Sequence, residues 1–178
     1  MKKKLSSWLQ LLILLFGIFV PSFASTPSAE AKEVTGVITS LNLSNYDGGP
    51  LRDAYDIWQQ FRINATFALP NNTVNEGDTT TITLPSEIAF AVSTAFQLKD
   101  PDGNVVANAT IDGDRKTITL TYTNYAESHS NVTGEFFFFA RVDHDVVHSE
   151  QDINVTLDID GESVYAGHVH YNGPPAQY

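Results

Sequence analysis

Histidines and carboxylates gather late in the chain. His144 and His148 sit with Asp143 and Asp145, and His168 and His170 follow two residues apart. On a strand such a pair shares one face, and with His144 it could offer three imidazole nitrogens to zinc. Surface histidines near a sheet end are the commoner arrangement, and sequence alone does not bring the three together. Asp100-Pro101-Asp102-Gly103-Asn104 supplies closely spaced oxygens that would suit calcium. The run lacks the further acidic ligands of a dedicated twelve-residue loop and reads better as a hairpin turn. Lys116 is in phase with Ile118, Leu120 and Tyr122, which aims its amine at the interior unless the stem snorkels outward.

Catalytic patterns are missing. The chain has no Gly-x-Ser-x-Gly elbow, no His-Glu-x-x-His and no phosphate-cradling glycine loop. It has no cysteine, so a thiol nucleophile is excluded. Carboxylate pairs such as Glu87 with Asp100 could be drawn for a glycosidase, but any acidic β-protein offers such pairs. The expectation is a non-catalytic protein with no cofactor and no resident metal.

The elements that must position these residues follow from composition and alternation. Of 178 residues, 42% are hydrophobic and only 17% charged, enough for one core and poor in the residues that fill long helices. The net charge is -11, and removing residues 1–31 leaves seven basic residues against twenty acidic ones. Such a surface repels phosphate backbones and anionic lipid, which excludes nucleic acid as a partner. It would steer basic partner segments, unless it is simply a solvated acidic surface. Lys2 to Lys4, the apolar run from Leu9 to Val20, and small residues before Ala24 and Ala31 have the form of a secretory signal, with cleavage after either alanine. No later run could span a bilayer. Export without any cysteine fits a Gram-positive source. Six Asn-X-Ser/Thr sequons, at Asn42, Asn64, Asn71, Asn108, Asn131 and Asn154, are read as a product of the Asn- and Thr-rich composition.

Period two dominates the mature region. Ile118, Leu120 and Tyr122 alternate with Thr117, Thr119, Thr121 and Thr123; Ile153, Val155, Leu157 and Ile159 alternate with polar residues; Ile82 and Leu84 alternate with threonines. Further strands are expected over residues 34–43, 57–69, 96–99, 105–111, 135–142 and 163–171. Asp112-Gly113-Asp114 and Asp160-Gly161-Glu162 mark tight turns. The sum is an antiparallel β-sandwich. Leu51, Ala54, Tyr55 and Trp58 have helix spacing, for a turn or two at most. Phe136 to Phe139 is apolar on both faces, so that strand is either central and covered twice or lies beside a second domain.

Several consecutive blocks then point to a family: 75–85 (Asn-Glu-Gly-Asp-Thr-Thr-Thr-Ile-Thr-Leu-Pro), 96–100 (Phe-Gln-Leu-Lys-Asp), 102–107 (Asp-Gly-Asn-Val-Val-Ala), 116–125 (Lys-Thr-Ile-Thr-Leu-Thr-Tyr-Thr-Asn-Tyr) and 131–136 (Asn-Val-Thr-Gly-Glu-Phe). From about Val34 to Ile159 the chain resembles the N-terminal Ig-like subdomain of Gram-positive cell-wall adhesins, the collagen- and fibrinogen-binding surface proteins that recognise host matrix. The resemblance implies a variant immunoglobulin sandwich. It implies a ligand held between two adjacent subdomains, one of which closes over it and is latched by strand addition. Residues 121–127 are similar to the latch-receiving motif but shorter, which makes Thr121, Tyr122, Thr123, Asn124 and Tyr125 the candidate ligand-binding residues. An extended peptide would need an open strand edge and aromatic walls, for which Tyr122, Tyr125, Phe137, Phe139, Tyr165 and Tyr171 are available, unless core or inter-domain packing uses them.

The expected organisation is a signal and lead-in over residues 1–31, an Ig-like sandwich over 32–171, and a linker over 172–178 toward a following domain. The expected function is a non-catalytic surface adhesin domain contributing to binding of a host matrix protein, with the adjacent Ig-like subdomain as its other partner. It would be secreted or held at the cell surface, anchored to the wall by sequence beyond this chain. The alternatives are a structural spacer beside the true binding subdomain and a secreted carbohydrate-binding domain.

Overall fold

The computed structural model describes residues 30–176; the leader expected over 1–31 lies outside the described residues as far as position 29. Ten strands follow in chain order: β1 (Ile38–Asn45), β2 (Phe61–Ala68), β3 (Thr79–Thr83), β4 (Ile88–Phe90), β5 (Phe96–Lys99), β6 (Val105–Ile111), β7 (Thr117–Tyr122), β8 (Thr133–Val142), β9 (Gln151–Ile159) and β10 (Glu162–Tyr171). One short helix, α1 (Asn124–Ser128), sits between β7 and β8. The strands form a four-stranded sheet, β1-β2-β8-β4, and a six-stranded sheet, β10-β9-β3-β7-β6-β5, with antiparallel pairing throughout both.

Alternation supplies the core. Phe61, Ile63, Ala65 and Phe67 of β2 and Phe136, Phe138, Ala140 and Val142 of β8 face inward from the smaller sheet. Ile118, Leu120 and Tyr122 of β7 and Ile153, Val155, Leu157 and Ile159 of β9 face them from the larger one. Thr80, the inward threonine of β3, is fully buried and satisfied. It donates to the Val34 carbonyl oxygen at 2.7 Å and therefore accepts from the Tyr122 hydroxyl at 2.6 Å. Burial pushes the Tyr122 phenol up to about 12.

One expectation needs correction, and two are narrowed. The strand expected over 34–43 begins only at Ile38, because Gly36 turns in the left-handed region at φ 70° and moves the chain from one sheet to the other. Before that turn, Glu33 bridges Thr79 of β3. The stretch 51–60, expected to hold a turn or two at most, holds one turn and no helix. Tyr55 forms an isolated bridge with Tyr171, and Asp56 to Gln59 closes a turn, so its apolar residues pack on different neighbours rather than on one helix face. β8 is central in its sheet, between β2 and β4, and is not covered twice: its outward Phe137 is 43% exposed, which leaves the alternative of a neighbouring domain. The expected turns do form, and Asp160 and Gly161 both have positive φ, as the two-residue hairpin between β9 and β10 requires.

Candidate functional site

β4 covers only the end of β8. Its pairs run from Ile88↔Val142 to Phe90↔Ala140, with one further bond from the Ala91 amide to the Phe139 carbonyl oxygen. From Thr133 to Phe138, β8 pairs with β2 alone among the described residues. β5 likewise pairs only with β6. These two open edges come together: the Phe96 ring lies 6.3 Å from Phe136, and a Cβ on Gly134 would stand 2.8 Å from the Lys99 carbonyl oxygen. Glycine is required at 134 because a Cβ would meet both that oxygen and, at 2.6 Å, the ring of its cross-strand partner Phe67. A groove of about 680 Å³ starts at this junction and crosses the outer face of the smaller sheet, from Gln97 and Lys99 past Phe137 and Arg62 to Asn64 and Asn42. Its polar floor is preorganised: the Asn64 amide donates to Asn42 Oδ1 and Ser44 Oγ, each at 2.9 Å.

Beside the groove the outer face is aromatic and cationic. The Arg62 guanidinium lies 4.1 Å over the Phe137 ring and 5.6 Å from that of Phe139, while Tyr46 stacks on Phe139 at 4.9 Å. Arg141 lies 4.7 Å over the Trp58 indole, whose other neighbour is the His144 ring at 4.3 Å. Among the described residues neither arginine has a carboxylate within salt-bridge distance. The sequence signal for this face was the outward run Phe137, Phe139, Arg141, apolar where a solvated strand would be polar. Its partners Tyr46, Trp58 and Arg62 come from β2 and the loops around it, and nothing local in the sequence joins them.

The latch-like residues lie on and just after β7, in the interior of the six-stranded sheet, and reach the end of β5 through Tyr125. Thr121 and Tyr122 lie on β7 and are paired on both sides: Thr121 stands between Thr79 of β3 and Asn108 of β6, and Tyr122 bonds to Gly77 and Asp78 on one side and stands opposite Ala107 of β6 on the other. Tyr122 is buried. The Thr123 hydroxyl donates to the Val105 carbonyl oxygen at 2.6 Å, and Asn124 opens α1. The Tyr125 ring stacks on His129 at 3.9 Å and its hydroxyl donates to Asp100 at 2.7 Å. That bond, with those from Asn104 and the Asp102 amide, holds the Asp100 carboxyl down at about 2. The Asp100 oxygens, among those considered for calcium, are thus taken by protein donors in a hairpin turn.

The three histidines take separate partners. His170 bonds Asp152 at 2.7 Å and Glu150 at 2.8 Å, which raises its pKa; His168 faces the Tyr165 hydroxyl at 3.3 Å; His144 belongs to the Arg141 cluster. Among the described residues no group of His, Asp or Glu is arranged to hold a metal ion. Lys116 does point inward. Its amine donates to the Ser86 and Ile88 carbonyl oxygens, each at 2.8 Å, and pairs with Asp143 at 2.6 Å. Burial pushes the Asp143 carboxyl up, but the Lys116 bond and charge outweigh it and hold the group below the usual range. An ionised carboxylate in an ion pair is the arrangement here, tying the start of β7 to β4 and the end of β8.

Residues 54–152, more than half the chain, match the family model described as a bacterial Ig domain. The chain belongs to that family. It is 30% identical over 132 residues to serine-aspartate repeat-containing protein I of Staphylococcus saprophyticus, covering 67% of this chain and 7% of that protein. To the wall-associated protein of Streptococcus mutans it is 27% identical over 136 residues, or 74% and 29% of the two chains. The fold is shared with a serine-rich repeat protein of Streptococcus agalactiae (TM-score 0.62, 20% identity, 83% of this chain and 48% of that one). It is shared too with the collagen adhesin of S. aureus (TM-score 0.55, 18% identity, 84% and 47%). The all-β Ig-like architecture expected from the sequence is therefore correct. The chain spans less than a third of either curated relative. Among its described residues no helix is long and apolar enough to cross a membrane.

Proposed function

We propose that this Ig-like domain is a non-catalytic adhesin domain of a Gram-positive surface protein, and that it contributes to binding a host matrix protein of the collagen or fibrinogen class. The observation that carries the reading is the pair of open strand edges, β5 and residues 133–138 of β8, at the mouth of a groove with aromatic walls. An extended polypeptide gains main-chain hydrogen bonds from such an edge and selectivity from the side chains beside it. Support comes from the relatives: one that is 34% identical over 92 residues, 8% of its length, is the bone sialoprotein-binding protein of Staphylococcus aureus, and the collagen adhesin has the same fold.

The adjacent Ig-like domain is the natural second wall, since the groove is open on its outer side. The segment Thr121 to Tyr125 is then a secondary contact made through the Asn124 and Tyr125 side chains, because the main chain of Thr121 and Tyr122 is already paired. Residues 1–31 serve export, 32–171 form the sandwich, 172–178 connect to a following domain, and wall anchoring is supplied elsewhere in the protein. The test is surface plasmon resonance on immobilised collagen, fibrinogen and fibronectin, with this chain and with a longer one that includes the following domain. Saturable binding to one of them, weakened at least about tenfold by Phe137→Asp, which is more than its stability loss accounts for, is expected. Binding by neither chain, or equal binding by the variant, would overturn the reading; a response only on a glycan array would assign a carbohydrate-binding domain instead.

A further inference from the structure

The seven basic residues of the mature region face twenty acidic ones, so each arginine has carboxylates to choose from. Arg62 and Arg141 are nonetheless held by rings. The Arg62 Nε donates to the Tyr46 carbonyl oxygen at 2.9 Å, its plane rests on Phe137, and Gly48 leaves the space it needs, since a Cβ there would lie 3.3 Å from Nη1. Arg141 meets His144 Nδ1 at 3.1 Å and covers Trp58. Each guanidinium is fixed in plane with other N–H groups left over, the preorganised fork that takes a carboxylate in two parallel hydrogen bonds. Arg62 stands opposite Phe139 on the neighbouring strand, so Arg141, two residues further along, is its diagonal neighbour, at roughly 7–8 Å between backbones.

A second observation is independent of charge. Trp58 has φ 72°, a left-handed backbone that disfavours a bulky side chain, yet the residue is 60% exposed. The fold holds a strained tryptophan at the surface beside one arginine, and Tyr46, 56% exposed, beside the other. The nearby acids restrain what can bind. Asp143 lies close enough to Arg141 to feel its charge, Asp145 stands 3.6 Å from His144, and Glu135 closes the groove end of the face. A polyanion would meet the repulsion of the whole acidic surface for every charge it carries, while only two arginines repay it. A segment with one or two carboxylates and a low total charge escapes that repulsion.

We propose that the outer face of the four-stranded sheet is a docking surface for an extended polypeptide segment that presents one or two carboxylates beside an aromatic ring, the carboxylates taken by Arg62 and Arg141 and the ring by Trp58 and Tyr46. This rests on the reading of that face as the contact face and names the partner's chemistry. It also sets local recognition against global charge, which favours basic segments.

That opposition gives the test. In the full chain carrying Trp8→Phe, Trp58 is the single tryptophan, and its emission reports binding. Two synthetic peptides serve as probes: Gly-Lys-Glu-Phe-Glu-Lys-Gly, with no net side-chain charge, and the same peptide with both Glu replaced by Gln, which is more positive. The protein's overall field favours the Gln peptide, whereas the two arginines favour the Glu peptide by at least about tenfold. Arg62→Gln and Arg141→Gln should each bring the Glu peptide down toward the Gln peptide, with cooperative thermal unfolding retained. Because the peptide comparison uses no site variant, misfolding of a variant cannot mask the result. Equal binding of the two peptides, tighter binding of the Gln peptide, or no binding of either overturns the proposal. So does tighter binding of a heparin hexasaccharide with the same arginine dependence, or self-association of the chain that Arg62→Gln abolishes. Matrix binding that is lost in Phe137→Asp while the two peptides bind equally would remove this inference and leave the adhesin reading standing.

Discussion

The two outer faces of the sandwich are built from the same period-two pattern and could hardly differ more. On the six-stranded sheet, Thr79, Thr81 and Thr83 of β3 stand opposite Thr121, Thr119 and Thr117 of β7, with Thr110 and Asn108 of β6 beyond them. On the four-stranded sheet the equivalent positions of β8 carry Phe137, Phe139 and Arg141. Threonine satisfies strand propensity and stays solvated, so a threonine face stabilises the sheet and attracts little. An aromatic face with stacked arginines gains less from water and offers more to a partner. On the proposed reading, the difference separates a face that maintains the fold from one that meets another molecule. The cations are distributed accordingly: Lys116, between the sheets, has a carboxylate and two carbonyl oxygens, while Arg62 and Arg141, on the outer face of the four-stranded sheet, have rings.

The comparison can be broken at several levels. Phe138→Ala removes a buried ring that serves both sheets and packs against Phe90 at 4.9 Å; urea unfolding should show a loss of about 3–5 kcal/mol. Lys116→Met removes the tie between the sheets and should lose about 2 kcal/mol at pH 7. The sign of its pH dependence follows from the lowered pKa of Asp143. The stability this group contributes is present above the unfolded carboxylate value and is lost as pH falls through the folded one. The gap between wild type and Lys116→Met should therefore close below about pH 4.

Smaller effects sharpen the contrast between faces. Phe139→Ala should lower stability by about 1 kcal/mol through lost stacking with Tyr46 and Arg62, and should weaken matrix binding by more than its stability loss accounts for. Thr119→Ala on the opposite face should stay within about 0.5 kcal/mol and leave binding untouched. Smallest of all is His170→Gln. The folded pKa of His170 is raised by Asp152 and Glu150, so its contribution is complete below the unfolded value near 6.5 and fades as pH rises through the folded one. Melting temperatures of wild type and variant should differ at pH 5.5 and converge by pH 8.5.

Much of this architecture is legible in the chain. β7 and β9 alternate so regularly that their inward residues, Ile118 to Tyr122 and Ile153 to Ile159, could be named before any coordinates. The tight turns declare themselves through Asp-Gly pairs. β4 could not be found this way, because Ile88, Ala89 and Phe90 are all buried and a three-residue run has no period. The start of β1 was displaced by one torsion at Gly36. The helix spacing of Leu51, Ala54, Tyr55 and Trp58 was accidental, since Tyr55 faces β10 while Trp58 turns outward to Arg141. For the site, the sequence showed that β8 is apolar on both faces but not that β4 is too short to close its edge. Pairing of Arg62 with Phe137, and of Arg141 with Trp58, is a property of register between strands distant in sequence, which no local pattern encodes.

Amide hydrogen exchange, followed by mass spectrometry with and without soluble collagen or fibrinogen fragments, tests the central claim most directly. If the four-stranded face and its open edges are where this domain meets its partner, protection will appear in peptides spanning residues 133–142 and 96–99, and exchange across β3 and β7 will not change. Protection confined to the threonine face, or none at either sheet at saturating ligand, would contradict the account.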